Sequence, residues 1–132
     1  MRTQRTIETA EGASVRDVTE EVRDAVPVEV GQGLCTVYVP HTTAGVFVNE
    51  AEPGLVGDLE TLVERLVPEG EEYRHDAVDD NASAHLRSAL LGQSVTIPVS
   101  RGDLDLGTWQ SVLFFEGDGP RSRTLEVTVL SA

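Results

Sequence analysis

The sequence contains no lysine, so arginine supplies all ten of its basic side chains. Aspartate and glutamate together number 23 and are spread along the chain, giving a formal net charge of −13 at pH 7 with histidine neutral. An acidic surface of this kind repels nucleic acids and anionic membranes, so we expect neither as a partner. It suits a protein dissolved in concentrated salt, and we expect the cytoplasm of a salt-adapted (halophilic) organism. GC-rich coding is an alternative explanation of the arginine usage, but it does not account for the excess of acid.

Cysteine is almost absent, and Cys35 stands alone inside an apolar run. No intramolecular disulfide can form, and this side chain is expected to act as a small core hydrophobe. No apolar stretch approaches membrane-spanning length, and the first residues do not resemble a signal peptide. A chain of 132 residues is long enough to bury a core, and we expect one domain over residues 1–132.

In the first half of the chain, hydrophobic periodicity predicts three strands and two helices. Weak alternation over residues 1–10 indicates an edge strand, and "LCTVYVP" and "GVFVNE" indicate two more, joined by a turn over residues 42–45. Thr19 is the expected N-cap of a short helix that ends at Pro27. A second helix is expected to begin at Pro53, to carry one apolar face, and to stop at Pro68.

In the second half, Asp80 is the expected cap of a helix over "NASAHLRSALL", which Gly92 ends. Three strands are expected in "SVTIPV", "LGTWQSVLFFE" and "RTLEVTVL". Their short connections cannot hold crossover helices and predict an antiparallel meander. Because strands and helices are grouped, we predict an α+β fold, mostly antiparallel sheet or sandwich with two to three helices.

The chain has three histidines, His41, His75 and His85. None has the i,i+4 partner of a helical zinc motif, and a lone histidine is most often a surface or capping group. The segment "RHDAVDDNASAH" nevertheless concentrates two histidines, three aspartates and Asn81 in a long loop and helix start. Imidazole and carboxylate groups together suit Zn²⁺, so the segment is a candidate metal site.

Two further motifs carry polar groups near the C-terminus. Trp109 is expected in the core of a strand, whereas its neighbour Gln110 faces the opposite side and could bind the polar edge of a ligand. If the strand already includes Arg121, then Arg121 and Arg123 point to the same face of the sheet. Two guanidinium groups on one face would suit the binding of a phosphate. Salt links to the acidic residues nearby are an equally good explanation of the two arginines.

Four segments resemble, in order and spacing, the YjbQ family, known as secondary thiamine-phosphate synthase enzymes. These segments are "PHTTAGVFVNE", "HDAVDDNASAHLRSALLG", "IPVSRGDLDLGTWQ" and "FFEGDGPRSR", and the match runs from roughly Gly33 to Val129. The resemblance implies a homotrimer with its sites at subunit interfaces. It also implies a weak activity that joins hydroxymethylpyrimidine diphosphate to thiazole phosphate and releases pyrophosphate.

On this resemblance the first of these segments forms half of a pocket. His41 would act as a ligand or an acid/base, Thr42 and Thr43 would offer hydroxyls to phosphate, and Asn49 and Glu50 would line the same cavity. Because side chains alternate along a strand, only one of Asn49 and Glu50 can face the cavity. Glu50 is the better candidate, since its carboxylate could orient a histidine or a metal-bound water. The alternative is that "TTAG" is only a tight turn and Glu50 a solvated strand end.

The expected ligands are a phosphorylated small molecule and a divalent metal, Zn²⁺ or, with the diphosphate substrate, Mg²⁺. The metal would be held by His41, His75 and His85 if they converge, and Arg121 or Arg123 would stabilise the departing pyrophosphate. The competing interpretation is a non-catalytic trimer that binds a metal and a phosphorylated metabolite as a sensor or carrier.

Overall fold

Two antiparallel sheets and three α-helices make up the protein, as seen in a computed structural model that describes residues 1–132. The strands are β1 (Arg2–Glu8), β2 (Gly12–Asp17), β3 (Gln32–Tyr38), β4 (Ala44–Asn49), β5 (Ser94–Ser100), β6 (Asp103–Leu104), β7 (Ser111–Gly119) and β8 (Ser122–Ser131). The helices are α1 (Thr19–Arg23), α2 (Pro53–Leu66) and α3 (Ala82–Leu91), with a short 3-10 helix at Arg74–Ala77. The predicted α+β class is confirmed.

The larger sheet has the order β1-β8-β3-β5-β6 and the smaller sheet the order β2-β7-β4. Every neighbouring pair is antiparallel. β1 lies at an edge of the larger sheet, which confirms the prediction for residues 1–10. The chain crosses between sheets directly after β3 and again after β7, and the residues at these two crossings lie close together.

The core lies between the two sheets and consists of alternating apolar side chains from both. Cys35 and Val37 of β3 meet Val46 of β4 and Phe114 of β7 there. Burial raises the pKa of the Cys35 thiol to about 11, which fits the inert core role expected for it. The other face of the smaller sheet packs against α3. The smaller sheet is therefore the middle layer, between the larger sheet and the helices.

The predicted C-terminal meander is wrong. β5 pairs with β3 and with the two-residue strand β6, whereas β7 pairs with β2 and β4 in the other sheet. Short connections cannot distinguish a hairpin from a step between two packed sheets. β2 was not predicted, because Val15 is the only large apolar residue in "GASVRD" and the strand lies at a sheet edge.

Two predicted helix caps are also wrong. Val18, not Thr19, is the N-cap of α1, because Asp17 Oδ1 accepts from both the N–H and the hydroxyl of Thr19. α1 is five residues long and ends before Pro27. Asn81 occupies the N-cap of α3 in place of Asp80, and Asp76 accepts from the Ala82 N–H at 3.1 Å. Gly92, with φ 95°, ends α3 as predicted.

α2 begins at Pro53 as predicted, with the Glu52 carboxylate accepting from the N–H groups of Gly54 and Leu55. Val63 is the one buried residue of its expected apolar face. The Glu60 carboxylate accepts from the Val15 N–H at 2.8 Å and so fastens the helix to the edge strand β2. None of the three α-helices combines the length and the apolar composition that a membrane-spanning helix requires.

Candidate functional site

A cavity of about 710 Å³ opens where β3 ends, between the start of β8 and α3. Most of its lining residues carry a polar side chain, and two of the three histidines are among them. The lining residues are Tyr38, Pro40, His41, Thr42, Thr43, His85, Ala89, Gln93 and Arg123. The predicted turn at residues 42–45 is therefore a crossing between sheets that leaves its polar side chains around a cavity.

His41 is positioned by the antiparallel pairing of β3 with β8, which brings the end of one strand beside the start of the other. Its Nε2 accepts a hydrogen bond from the Thr124 backbone N–H at 2.9 Å. A neutral ring that accepts through Nε2 carries its proton on Nδ1. Burial lowers the pKa of His41 from its ordinary value of 6.5, and the nearby Arg123 charge lowers it further. His41 therefore offers an N–H donor at neutral pH.

Arg123 forms a buried ion pair with Glu116 behind the cavity wall. Its Nε and Nη2 donate to the two carboxylate oxygens, and Nη2 also donates to the Thr43 hydroxyl at 2.8 Å. Burial alone would raise the pKa of Glu116. The hydrogen bonds from Arg123, the Asp118 N–H and Thr9 outweigh burial and hold that pKa below its usual value. The pair therefore fixes Thr43 and keeps a charged guanidinium at the cavity.

Arg121 lies one residue before β8 and is exposed. Its Nε donates to the Asp118 carbonyl and its Nη2 to the Asp118 carboxylate, both at 3.0 Å. It does not line the cavity, and it shares no partner with Arg123. Within one chain, the structure favours the salt-link explanation for both arginines over a paired clamp.

His75 and His85 form a close pair, with ring centroids 4.6 Å apart in an edge-to-face arrangement. His75 Nε2 lies 2.9 Å from Asn81 Oδ1, which makes Asn81 the orienting group of that ring. His85 also lines the cavity with His41. No group of three His, Cys, Asp or Glu side chains is placed to hold a metal ion within the chain. The predicted convergence of His41, His75 and His85 on one metal ion is therefore not present within a single chain.

The remaining candidates lie at the other end of β4, whose six residues span roughly 17–20 Å. Asn49 Oδ1 accepts from the Glu50 N–H at 2.8 Å, and Gln110 Oε1 accepts from the Gly107 N–H at 2.9 Å. None of these side chains lines the histidine cavity. Trp109 precedes β7 in a turn and is 73% exposed, so its expected place in the core is wrong.

Sequence reasoning missed Tyr38, Gln93 and Glu116. Glu116 carried a signal, since it is the one charge at the end of the apolar run "VLFFE" and faces an arginine across a tight connection. Gln93 donates to the carbonyl of Ser88 at 3.2 Å, which ties the end of α3 to the cavity wall. Nothing in its sequence context distinguishes it from an ordinary loop residue.

The fold and cavity define a small α+β protein with a polar, histidine-containing pocket at a junction between two sheets. The family model "UPF0047 protein YjbQ-like" matches residues 3–132, and the chain belongs to this family. A UPF0047 protein of Archaeoglobus fulgidus is 48% identical over 125 residues, covering 95% of this chain and 98% of that protein. The Bacillus subtilis relative YugU is 38% identical, covering 94% and 95% of the two chains.

Solved structures agree with this assignment. The hypothetical protein APE1520 from Aeropyrum pernix K1 superimposes with a TM-score of 0.95 at 44% identity, covering 100% of this chain and 99% of that one. A YbjQ-like protein of unknown function from Sulfolobus solfataricus P2 gives a TM-score of 0.95 at 33% identity, covering 100% and 97%. The relatives come from both archaea and bacteria.

Proposed function

We propose that the histidine cavity binds a phosphorylated small molecule and supports a weak thiamine-phosphate synthase activity. The reaction joins hydroxymethylpyrimidine diphosphate to thiazole phosphate and releases pyrophosphate. The observation that carries the proposal is that His41, Thr42, His85 and Arg123 share one open polar cavity. The reaction itself rests on the resemblance of the four sequence segments to the YjbQ family.

The chain's own groups suit the handling of phosphate oxygens. The His41 Nδ1–H and the exposed Thr42 hydroxyl are donors, and the Arg123 charge lies behind them. The thiazole nitrogen is the nucleophile, so no covalent side chain is required. Donors that meet the departing pyrophosphate lower the barrier, because its charge grows as the bond breaks.

A divalent metal, Zn²⁺ or Mg²⁺, is the cofactor we propose. His85 and His75 are neighbours and could supply two imidazole nitrogens, whereas His41 Nε2 is engaged by a backbone N–H. The third ligand would come from another copy of the chain. When bound, the metal would supply positive charge to the phosphate oxygens.

We further propose that the protein is a homotrimer whose sites lie between subunits. The outer face of the larger sheet carries no helix, and exposed Leu34 pairs there with exposed Leu130 and with Pro98. An apolar sheet face of this kind is covered by association. Association would also allow Glu50 and Gln110 of one subunit to approach the histidine cavity of the next.

The alternative is a non-catalytic trimer that binds a metal and a phosphorylated metabolite as a sensor or carrier. One observation favours it. Glu116 neutralises Arg123, so the cavity has no arginine or lysine without a carboxylate partner. A cavity with little free positive charge can hold phosphate through hydrogen bonds, but it stabilises a developing pyrophosphate charge less well.

The test is to measure thiamine phosphate formation and pyrophosphate binding in parallel on purified trimer in high salt. We expect His41→Ala to reduce both, and the exposed control Arg2→Ala, on the far edge strand, to change neither. Binding of both substrates without product above background, at any metal or salt concentration, would reject catalysis and leave the carrier function. If His41→Ala kept both thiamine phosphate formation and pyrophosphate binding, the histidine cavity would be rejected as the site.

A further inference from the structure

Arg87 is a second buried arginine, and unlike Arg123 it has no carboxylate partner. It lies on α3 with only 3% of its surface exposed, and no acidic oxygen is within salt-bridge distance. Its Nε donates to the Val67 carbonyl at 2.9 Å, and that is the only hydrogen bond of its side chain. Neither Nη group has an acceptor within the protein, and both keep some contact with solvent, so they are donors available to a ligand.

Arg87 lines a cleft of about 440 Å³ that is separate from the histidine cavity. The cleft is lined by Gly12, Ala13, Glu64, Pro68, Glu69 and Arg87. His85 and Ala89 line the histidine cavity, whereas Arg87 lies on roughly the opposite side of α3, about 200° around the helix from His85. One helix therefore presents a different functional surface to each cavity.

The charges around the cleft select the ligand. A guanidinium with a free edge is shaped for a bidentate carboxylate or phosphate. Glu64 and Glu69, both exposed, line the same cleft without reaching Arg87. Two carboxylates repel a phosphate dianion, but they attract an ammonium group held beside the bound anion.

We propose that the Arg87 cleft binds a small zwitterion of the amino-acid type. Its carboxylate accepts from the Nη groups of Arg87, and its ammonium group lies between Glu64 and Glu69. This site is independent of the phosphate chemistry proposed for the histidine cavity. Pro68 and Glu69 of its wall belong to the connection between α2 and the 3-10 helix.

The experiment is calorimetric titration of the full-length protein at fixed ionic strength with four probes: L-alanine, acetate, methylammonium and inorganic phosphate. We expect L-alanine to bind saturably. Acetate and methylammonium, which each carry only one of its two charges, should bind about tenfold or more weakly, which is the loss in affinity expected when a charge-assisted hydrogen bond is missing. The zwitterion assignment would be overturned if phosphate bound more tightly than L-alanine and if this phosphate binding persisted in His41→Ala, which removes a donor of the histidine cavity.

Variants test the assigned contacts. Arg87→Lys keeps the positive charge but removes the planar guanidinium group that can donate two parallel hydrogen bonds, and we expect about tenfold weaker L-alanine binding. Glu64→Gln and Glu69→Gln, at exposed positions that should fold normally, are expected to weaken L-alanine and to leave acetate unchanged or stronger. Arg65→Gln, an exposed arginine next to Glu64, is the matched control and should change nothing. No saturation by L-alanine in folded wild-type protein, or equal affinity in Arg87→Lys, would overturn the proposal.

Discussion

At the scale of single residues, the buried pair of Arg123 and Glu116 holds the wall of the histidine cavity. Removing one partner leaves the other charge buried without compensation, which costs far more than the pair itself contributes. We expect Arg123→Met to lower the free energy of unfolding by about 3–5 kcal/mol, measured by urea denaturation. Methionine replaces the aliphatic stem of the arginine with an unbranched apolar chain, so the loss reports the missing guanidinium group and its contacts with Glu116 and Thr43.

The exposed pair of Arg2 and Glu126 is the control for this prediction. Its N–O distance is 2.8 Å, similar to that of a buried pair, but the arginine side chain is 64% exposed. Arg2→Met should therefore cost about 1 kcal/mol or less. Equal losses in the two variants would show that burial does not govern the contribution of the cavity pair.

His41 makes the stability depend on pH. Its pKa in the folded protein lies below the ordinary value of 6.5, so the unfolded state binds more protons between these two values. The contribution of neutral His41 is fully present above pH 6.5 and is lost as the pH falls from there toward the folded pKa. We expect the free energy of unfolding to fall across this window in wild type.

His41→Gln separates this effect from the titration of other groups. A glutamine carbonyl can accept from the Thr124 N–H in place of Nε2, yet it does not titrate. The difference in unfolding free energy between the two proteins, followed by urea denaturation at several pH values, should shrink as the pH falls from 6.5. Parallel curves would show that His41 does not titrate differently in the two states.

At the scale of elements, Gly45 sets how closely β4 approaches the end of α3. A Cβ at this position would lie 2.6 Å from the Gly92 carbonyl oxygen, which already accepts from the Val46 N–H at 3.0 Å. We expect Gly45→Ala to push α3 away and to cost about 1–3 kcal/mol. Because α3 carries His85, pyrophosphate binding should weaken as well.

Gly57, in the interior of α2, is the matched control. A Cβ there meets nothing within 4 Å, and alanine favours a helix over glycine by about 0.5–1 kcal/mol. Gly57→Ala should leave pyrophosphate binding unchanged and stability equal or higher, as measured by thermal unfolding. If both variants behaved alike, close approach of β4 to α3 would not be the reason for glycine at position 45.

Sequence reasoning identified elements with strong local signals and failed where tertiary context decides. β3, β4 and α2 were predicted because their apolar periods are clear, and α3 was ended correctly by Gly92. The pairing of β7 depends on which of two sheets it joins, and no local feature encodes that choice. His41 and Thr42 meet His85 in one cavity because β3 pairs with β8 and α3 packs on the smaller sheet, which residue spacing alone does not reveal.

At the scale of the whole molecule, the candidate residues form two groups separated by the length of β4. His41, His85 and Arg123 lie at one end, and Glu50 and Gln110 lie at the other. In one chain these groups cannot act on the same ligand, because a six-residue strand spans roughly 17–20 Å. In the homotrimer that we propose, a head-to-tail interface would bring unlike ends of two subunits together and remove this difficulty.

Mixed trimers test this arrangement directly. His41→Ala and Glu50→Gln should each abolish pyrophosphate binding. When equal amounts of the two variants co-assemble, about one quarter of the interfaces should join an intact His41 of one subunit to an intact Glu50 of the next, and these sites should bind again. Mixing His41→Ala with His85→Ala is the control, because both defects lie at the same end and no interface can escape one of them. Binding is measured by calorimetry, and assembly by light scattering in high salt, which screens repulsion between subunits of charge −13. A wild-type monomer, or no recovery in the first mixture, would show that Glu50 does not complete a neighbour's histidine cavity.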